Sequence, residues 1–325
     1  MSSSIQIKNL KVFYPVRKGI LRRIKGYIKA VNQVTLMIEP GQTYSLVGES
    51  GCGKSSLGKA LVGLAPFTDG DFFIYNVDHK KLLHTNRRRA AAKIQMIFQD
   101  PYGSLNPKLK IGDSVAEGAS VNNPGLTDRD LRRIAATYLE KVGLYAEDYD
   151  KYPFEFSGGQ RQRIGIARAL AARPDIIICD EVVSALDASV QASILNLLLD
   201  LQDEFKLTYI FISHDLSVVR FISHQISIMY LGEIVESGPA AAVLNKPAHP
   251  YTKSLLQAVP DPDAQQSKEY QPLAGDVPSP LNLPSGCFFA GRCPYKKEKC
   301  RAHPELSGLD NQHTVRCHFP FIHES

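Results

Sequence analysis

The sequence predicts an α/β protein built around a mainly parallel sheet, and three observations support this class. Short apolar stretches recur along most of the chain and alternate with longer segments of helical periodicity. One stretch, Ile176–Cys179, is apolar throughout, which is typical of a strand buried on both faces. Another, Thr43–Val47, runs through a glycine-rich turn into a helical pattern, as in the repeating units of parallel sheets.

The individual elements follow from the same patterns. Strands are expected at 5–14 and 34–38, and the basic stretch between them, 16–29, is interpreted as a solvated hairpin tip. Thr127 with Asp130 fits an N-terminal helix cap. Further strands are expected at 43–47, 71–75, 94–98, 176–179 and 208–212, and helices after the glycine-rich turn, over 114–143, 161–172 and 188–205, and from 216. The helical stretch at about 104–165 is interpreted as a subdomain inserted into the α/β unit.

Length and composition limit the class of protein. The 325 residues exceed one typical domain, so a large domain at 1–245 with a smaller C-terminal extension at 246–325 is the simplest division. With 44% hydrophobic residues and a formal charge of +5, the chain is globular, and its charge alone does not indicate nucleic-acid binding. No stretch reaches the ~20 apolar residues that span a bilayer. Met1–Ser4 is polar and lacks a signal-peptide core, so we expect the chain to stay in the cytosol.

The pattern changes after Pro239, where frequent prolines interrupt any long element. We interpret residues 240–260 as a helical tail and 261–286 as an irregular arm. The remaining residues are expected to form a small cysteine-rich module.

A phosphate-binding loop follows the strand at 43–47. Its sequence matches the pattern G-x4-G-K-[ST] without a mismatch, between a strand and a helix as that pattern requires. Backbone N–H groups of such a loop surround phosphates, the lysine adds positive charge, and the final hydroxyl ligates Mg²⁺. The expected ATP-binding residues are Gly48, Glu49, Ser50, Gly51, Cys52, Gly53, Lys54, Ser55 and Ser56. The alternative is a glycine-rich turn that ends in Lys-Ser by chance.

Polar residues follow three other predicted strands. Asp180 and Glu181 end the apolar strand, where Asp180 can hold Mg²⁺ through water and Glu181 can polarise an attacking water. Gln99 can reach Mg²⁺ and the same water, and His214 can contact a γ-phosphate. Each has an ordinary alternative, namely an acidic loop, a solvated glutamine or a surface histidine. Their significance depends on their occurring together with the phosphate loop.

A second candidate phosphate site is the pentapeptide Phe156–Gln160, which runs into a helical segment. Its serine and two glycines leave backbone N–H groups free at the positive end of a helix, which is suited to binding an anion. An ordinary helix cap is the alternative. Two phosphate-binding surfaces on one chain are useful together only if they come from different copies of the fold.

In their order, these motifs resemble the ATP-binding subunits of ABC transporters over about residues 5–240. The resemblance implies an ABC-type P-loop fold, with a RecA-like core sheet and an antiparallel N-terminal part. It also implies a head-to-tail dimer with two ATP molecules between the subunits. The residues expected to contact ATP on the other subunit are Ser157, Gly158, Gly159 and Gln160, and those expected in a dimer-interface loop are Ser184, Ala185, Leu186 and Asp187. Tyr14 matches the aromatic residue that stacks on adenine, with Phe13 as the competing candidate.

Further segments are similar to oligopeptide and dipeptide importer ATPases: Gln99–Pro107, His249–Thr252, Leu255–Pro260 and the cysteine-bearing tail from Gly286. The long basic stretch near the N-terminus resembles the dipeptide F-type subunit more than the D-type. Two residues depart from the family pattern. Phe156 stands where leucine is usual, and Val182 stands where proline is often found.

The four C-terminal cysteines, Cys287, Cys293, Cys300 and Cys317, suggest metal ligation, because a cytosolic protein seldom keeps structural disulfides. Four thiolates suit a [4Fe–4S] cluster or Zn²⁺, and the resemblance to peptide-importer ATPases favours the cluster. Free thiols are the remaining alternative. His303, His313 and His318 lie nearby in sequence and could serve in a zinc site.

Together these features predict an ATP-hydrolysing, peptide-translocating motor subunit of a bacterial ABC importer for dipeptides or oligopeptides, with ATP and Mg²⁺ bound. The implied partners are a second ABC ATPase subunit in a heterodimer, two membrane permeases and an extracytoplasmic peptide-binding protein, at the cytoplasmic face of the inner membrane and without nucleic acid. One alternative is the same role for nickel, glutathione or an oligosaccharide. Another is a soluble ABC ATPase, whose coiled-coil insertions or tandem nucleotide domains this sequence lacks.

Overall fold

The computed structural model describes residues 5–19, 23–123, 125–258, 275–309 and 312–322. The interpreted hairpin tip at 16–29 and irregular arm at 261–286 therefore lie partly outside the described residues. The described strands are β1 (Ile5–Lys18), β2 (Arg23–Ile38), β3 (Thr43–Val47), β4 (Asp69–Ile74), β5 (Val77–Asp78), β6 (Ile94–Ile97), β7 (Ile176–Asp180), β8 (Thr208–Ser213), β9 (Gln225–Tyr230), β10 (Glu233–Pro239), β11 (Ser307–Gly308) and β12 (Thr314–Val315).

The helices alternate with these strands along much of the chain. They are α1 (Lys54–Leu61), α2 (His79–Thr85), α3 (Arg87–Lys93), α4 (Pro101–Ser104), α5 (Ile111–Asn122), α6 (Asp128–Lys141), α7 (Gly158–Ala171), α8 (Ala188–Phe205), α9 (Leu216–Ile222), α10 (Ala240–Asn245) and α11 (Pro250–Gln257), with 3₁₀ turns at Ala146–Asp150, Pro153–Glu155 and Glu298–Arg301. In the part of the chain that is described, no helix combines the length and apolar character needed to cross a membrane.

The larger sheet confirms the predicted α/β class. Over the described ranges it has eight strands, in the order β11-β12-β10-β9-β3-β8-β7-β6. The strands from β9 to β6 are parallel, and β10, β12 and β11 extend one edge in antiparallel fashion. Because parallel strands end at one edge, the residues that follow β3, β6, β7 and β8 are brought together there.

The central strands are buried on both faces, which explains their continuous apolar sequence. Successive side chains point to opposite faces of a strand. Ile177 and Tyr209 therefore pack against the helical part of the molecule, whereas Ile178 and Ile210 pack toward α1 and the smaller sheet.

The smaller sheet is antiparallel, in the order β2-β1-β4-β5. Pairing of β1 with β2 begins at Ile5 opposite Ile38 and continues as far as Lys18 opposite Arg23. Most of the basic stretch interpreted as a hairpin tip is therefore paired strand. Irregularities in the register allow this long hairpin to bend while its inward residues, including Val12 and Val31, remain buried.

The inserted helical part lies between β6 and β7 and consists of α4 to α7. The continuous helix expected over 114–143 is wrong, because the chain forms α5 and α6 with a break between them. Pro124 and Gly125, which occupy the break in the sequence, are both poor helix formers. The predicted cap is confirmed, since Thr127 Oγ1 accepts a hydrogen bond from the Asp130 N–H at 3.2 Å. The helical tail expected at 240–260 is likewise divided, into α10 and α11.

The C-terminal part is not a separate cysteine-rich module, and that expectation is wrong. Strands β11 and β12 continue the larger sheet, and Phe289 packs against Tyr230 and Tyr251 with ring centroids 5.3 and 5.4 Å apart. The fully buried Glu236 accepts hydrogen bonds from the backbone N–H groups of residues 248 and 249. The same carboxylate lies 2.8 Å from His313 Nε2. Packing of the rings, together with the hydrogen bonds that satisfy the buried Glu236 carboxylate, holds the extension on the sheet.

Candidate functional site

A cavity of about 640 Å³ lies over the turn between β3 and α1. Four elements reach it: the β1–β2 hairpin, the phosphate loop, the ends of the parallel strands and the C-terminal extension. Its lining residues are Tyr14, Ile28, Ala30, Gly48, Glu49, Ser50, Gly51, Gly53, Lys54, Ser55, Ser56, Gln99, Glu181, His214, Leu255 and Pro280. Most of these were predicted as ATP-site residues from sequence.

The phosphate loop requires glycine at two of its positions. A Cβ atom on Gly48 would lie 2.2 Å from the Met229 carbonyl oxygen, and one on Gly53 would lie 1.9 Å from the Ala30 carbonyl oxygen. Gly53 also has a φ of 111°, in the left-handed region. The loop is thus packed tightly against neighbouring backbone on one side, while its other side faces the cavity.

Lys54 is buried and held by the loop that it follows. Its Nζ donates hydrogen bonds to the carbonyl oxygens of Gly48 at 2.6 Å and Glu49 at 3.0 Å. It also contacts the Cys52 Sγ at 3.7 Å. A buried ammonium whose hydrogen-bond partners are neutral groups remains available to an anionic ligand. Cys52 is also buried, and burial raises the pKa of its thiol, so it serves as a neutral packing group.

Ser55 and Asp180 form the next part of the site. The Ser55 hydroxyl donates a hydrogen bond to Asp180 Oδ1 at 2.7 Å. Burial raises the pKa of the Asp180 carboxyl, while the hydrogen bond from Ser55 and the charge of Lys59 act in the opposite direction. A hydroxyl, a carboxylate and the nearby Gln99 amide are hard oxygen donors, so the residues present fit Mg²⁺.

Glu181 connects the polar residues that end three strands. Its Oε2 accepts a hydrogen bond from Gln99 Nε2 at 2.9 Å and lies 3.3 Å from His214 Nδ1. Its backbone has a φ of 49°, uncommon for a residue with a side chain, and its N–H donates to the Ile212 carbonyl at 3.0 Å. The sheet edge therefore holds a carboxylate that faces the cavity between an amide and an imidazole.

The opposite wall of the cavity is formed by the β1–β2 hairpin. Tyr14 lines the cavity, whereas Phe13 is not among its lining residues in the described chain. Leu255 and Pro280 also line it. Leu255 lies in a segment that resembles peptide-importer ATPases, but no sequence pattern placed it or Pro280 at the ATP site. These two come from the C-terminal extension, which only the folded structure brings to this site.

The Phe156–Gln160 pentapeptide does not reach this cavity. Phe156 is buried in the helical core, as expected from its apolar character. Ser157 caps α7: its Oγ accepts from the Gln160 N–H at 3.3 Å, and its own N–H donates to Gln160 Oε1 at 2.9 Å. Ser157, Gly158 and Gln160 remain exposed to solvent.

The loop formed by Ser184, Ala185, Leu186 and Asp187 lies beside the pentapeptide. The Ser184 hydroxyl donates to the Glu181 carbonyl at 2.9 Å, which ties this loop to the cavity. Asp187 caps α8 by accepting from the Val190 N–H at 2.9 Å, and this hydrogen bond holds the pKa of its carboxyl below the ordinary value. A Cβ on Gly159 would lie 2.5 Å from Val190 Cγ1, so glycine permits α7 and α8 to begin side by side.

Comparisons with known proteins identify the family of this chain. Residues 31–184 match the ABC transporter family model, and residues 235–300 match the oligopeptide/dipeptide transporter C-terminal region. The dipeptide transport ATP-binding protein DppF of Haemophilus influenzae is 47% identical over 95% of this chain and 94% of its own length. The oligopeptide transport ATP-binding protein OppF of Salmonella typhimurium is 46% identical over 96% of this chain and 95% of its own length. The chain belongs to the ABC transporter ATP-binding proteins.

Solved structures of ABC proteins show the same fold. The dimeric structure of MJ0796, a bacterial ABC transporter cassette, is 29% identical with a TM-score of 0.64 and covers 73% of this chain and 98% of that chain. A dimeric post-hydrolysis state of MJ0796 bound to ADP and Pi gives the same values. The ABC-type P-loop fold predicted from sequence is therefore confirmed.

The C-terminal cysteines of this ABC protein do not form a metal site, and the predicted [4Fe–4S] cluster and its zinc alternative are wrong. Among the described residues no group of three or more His, Cys, Asp or Glu side chains could hold a metal ion, and an iron–sulfur centre is not a feature of the matched relatives. Cys287, Cys293, Cys300 and Cys317 line one small cavity as free cysteines. Burial raises the pKa of Cys287, Cys293 and Cys317, the last to about 11.

The nearby histidines have other partners. His303 Nε2 lies 3.1 Å from Glu233 and His313 Nε2 lies 2.8 Å from Glu236, while His318 Nε2 is 3.0 Å from the Ala302 carbonyl oxygen. These contacts fasten the extension to β10 and to itself.

Proposed function

We propose that this chain is the ATP-hydrolysing motor subunit of an ABC importer for dipeptides or oligopeptides. The observation that carries the proposal is one cavity lined by the phosphate loop and by Glu181 between Gln99 and His214, with Ser55 in its wall hydrogen-bonded to Asp180. The C-terminal match and the printed functions of the relatives support peptides as the cargo.

Our mechanism begins with the triphosphate on the phosphate loop. Backbone N–H groups of the loop would receive the β- and γ-phosphates. Lys54 would exchange its contacts with two carbonyl oxygens for the phosphate charge, a stronger charge-assisted partner. Tyr14 would stack on the adenine at the far wall of the cavity.

Hydrolysis would depend on the residues at the sheet edge. Glu181 would accept a proton from the attacking water, and Gln99 and His214 would orient the carboxylate and the γ-phosphate. Ser55, Asp180 and Gln99 would hold Mg²⁺, which when bound neutralises phosphate charge. The left-handed backbone at Glu181 would keep its side chain directed into the cavity.

We also propose that the ATP site is completed by a second ABC subunit. Ser157, Gly158 and Gln160 are exposed and do not line the ATP cavity of this chain. This position supports contact with ATP that is bound to the second subunit. The loop at 184–187 would belong to the same interface. Both MJ0796 structures are dimeric, which supports this arrangement.

The remaining parts of the proposal concern the assembled transporter. Two membrane permeases and an extracytoplasmic peptide-binding protein would complete it, with this chain peripheral at the cytoplasmic face of the membrane, as a heterodimer with a related ATPase. Residues 1–245 would act as the nucleotide-binding domain and 246–325 as its C-terminal extension.

Peptide uptake tests the proposal. Cells lacking this chain should lose uptake of labelled dipeptides and oligopeptides, and the wild-type chain should restore it. A Lys54→Ala chain should fold but fail to restore uptake, since the buried ammonium is lost. The matched control is Lys206→Ala, at an exposed helix end away from the cavity, which should restore uptake fully. If cells lacking this chain keep peptide uptake but lose uptake of nickel, glutathione or an oligosaccharide, the peptide cargo is rejected and the motor role is kept.

A further inference from the structure

A partly buried ion pair joins the C-terminal extension to the phosphate loop. Arg292 Nη1 lies 2.6 Å from Glu49 Oε2, and Nη2 lies 2.9 Å from Oε1, so the contact is bidentate. The Arg292 side chain is 7% exposed and that of Glu49 is 28% exposed. Two parallel hydrogen bonds of this kind fix both the position and the orientation of the carboxylate.

The same loop residue is held at its backbone by the extension. The Glu49 N–H donates a hydrogen bond to the Tyr251 hydroxyl at 2.9 Å. Tyr251 in turn packs against Tyr230 and Phe289, with ring centroids 4.8 and 5.4 Å away. The extension therefore fixes the second residue of the phosphate loop at two independent points.

The charge of Glu49 makes this contact significant for ligand binding. Glu49 lines the cavity between Gly48 and Ser50, where the loop is built to receive an anion. An isolated carboxylate there would repel a triphosphate, because both are negative. Like charges several ångströms apart repel each other more strongly at a partly buried site than in water. Arg292 cancels that charge, and Glu49 is the carboxylate that this buried arginine pairs with among the described residues.

We propose that Arg292 is a positioning residue of the ATP site, which neutralises Glu49 and fixes it so that the phosphate loop accepts Mg·ATP. This inference rests on the proposed function and adds a part of the chain that the phosphate-loop motif does not include. It makes the affinity for ATP depend on the C-terminal extension. A substitution that leaves a net negative charge at this pair should weaken ATP binding, and one that leaves a net positive charge should strengthen it.

The test is the Kd for Mg·ATP of the purified full-length chain, measured by titration calorimetry. Arg292→Met leaves the Glu49 charge uncompensated and should weaken binding about tenfold or more, which corresponds to ~1.4 kcal/mol per tenfold. Glu49→Gln leaves Arg292 unopposed and should tighten binding. The double variant, Arg292→Met with Glu49→Gln, restores neutrality and should return Kd to within about threefold of wild type.

A purely structural clamp would give a different pattern, since both single variants would then weaken binding and the double variant would not recover. That pattern would overturn the proposal. In the assembled transporter the single variants should change KM for ATP much more than kcat. The matched control is Arg301→Met, which breaks an exposed arginine–glutamate pair in the same extension and should leave Kd unchanged.

Two further outcomes keep the inference separate from the proposed function. Wild-type chain that fails to bind Mg·ATP would contradict the proposed function itself. Wild-type chain that binds, with Arg292→Met binding equally well, would contradict only this inference. If Arg292→Met does not fold, as judged by thermal denaturation, the Glu49→Gln and double variants decide. Weaker binding of Mg·ATP by Glu49→Gln than by wild type would then reject the charge argument.

Discussion

Glu181 is the residue on which the proposed chemistry of this chain depends, and its environment combines predictable and unpredictable features. Its place after an apolar strand could be read from sequence, as could that of Asp180. Its contacts with Gln99 and His214 follow from the parallel order of β6, β7 and β8, which brings the ends of these strands together. Its left-handed backbone could not be predicted, because glutamate has no preference for that conformation.

His79 provides a test of burial at the residue scale. It is 1% exposed, its Nε2 has no hydrogen-bond partner among the described residues, and its ring makes a T-shaped contact with Phe72 at a centroid distance of 5.0 Å. Burial lowers its pKa from 6.5 to about 4, and the charge of Asp78 opposes this only partly. Its imidazole is therefore neutral in the folded protein at pH values where the unfolded chain already binds a proton.

The sign of the pH effect follows from this difference. The folded state is fully stabilised above pH 6.5, and the free energy of unfolding falls as the pH decreases toward about 4, since only the unfolded state gains a proton in that window. The free energy of unfolding, measured with urea, should decrease between pH 7.5 and pH 5 by about 2 kcal/mol less for His79→Leu than for wild type. His249, whose pKa is also lowered to about 4, contributes equally to both proteins. Equal decreases in the two proteins would contradict the account.

At the scale of elements, patterns that act within one strand or helix were predicted well. The buried strands, the phosphate-loop turn and the cap of α6 all depend on neighbouring residues, so the sequence contains the information that defines them. The division of the helical region into α5 and α6 was missed because its apolar pattern continues on both sides of the break. The edge strands β11 and β12 have two residues each and carry no strand pattern of their own.

The cap of α6 gives the prediction at this scale. Thr127→Ala removes the acceptor for the Asp130 N–H and should lower the free energy of unfolding by about 1 kcal/mol. Thr137→Ala, on the same helix, is the matched control and should have little effect, because alanine favours the helix interior and the hydroxyl bonds only within it. Denaturant unfolding of the three proteins checks this, and equal losses for both variants would show that the cap contributes nothing specific.

At the scale of the whole molecule, the sequence did not reveal which distant residues meet. The spacing of the four cysteines suggested a metal site, but spacing cannot show whether thiols converge with suitable geometry or are ionised. The pairing of Arg292 with Glu49 joins residues 243 positions apart, and no local pattern marks either as a partner. Such contacts arise when the extension docks on the sheet, through buried groups such as Phe289 and Glu236.

We propose that this chain drives transport by hydrolysing ATP with Glu181, and the ATPase rate of the purified transporter tests this role. Complexes carrying Glu181→Gln in this chain should retain Mg·ATP binding, while peptide-stimulated phosphate release falls about 100-fold or more, the range typical for loss of a general base. Glu204→Gln, on the exposed face of α8, is the control and should leave the rate unchanged. Phosphate release at the wild-type rate by the Glu181→Gln complex would contradict the claim.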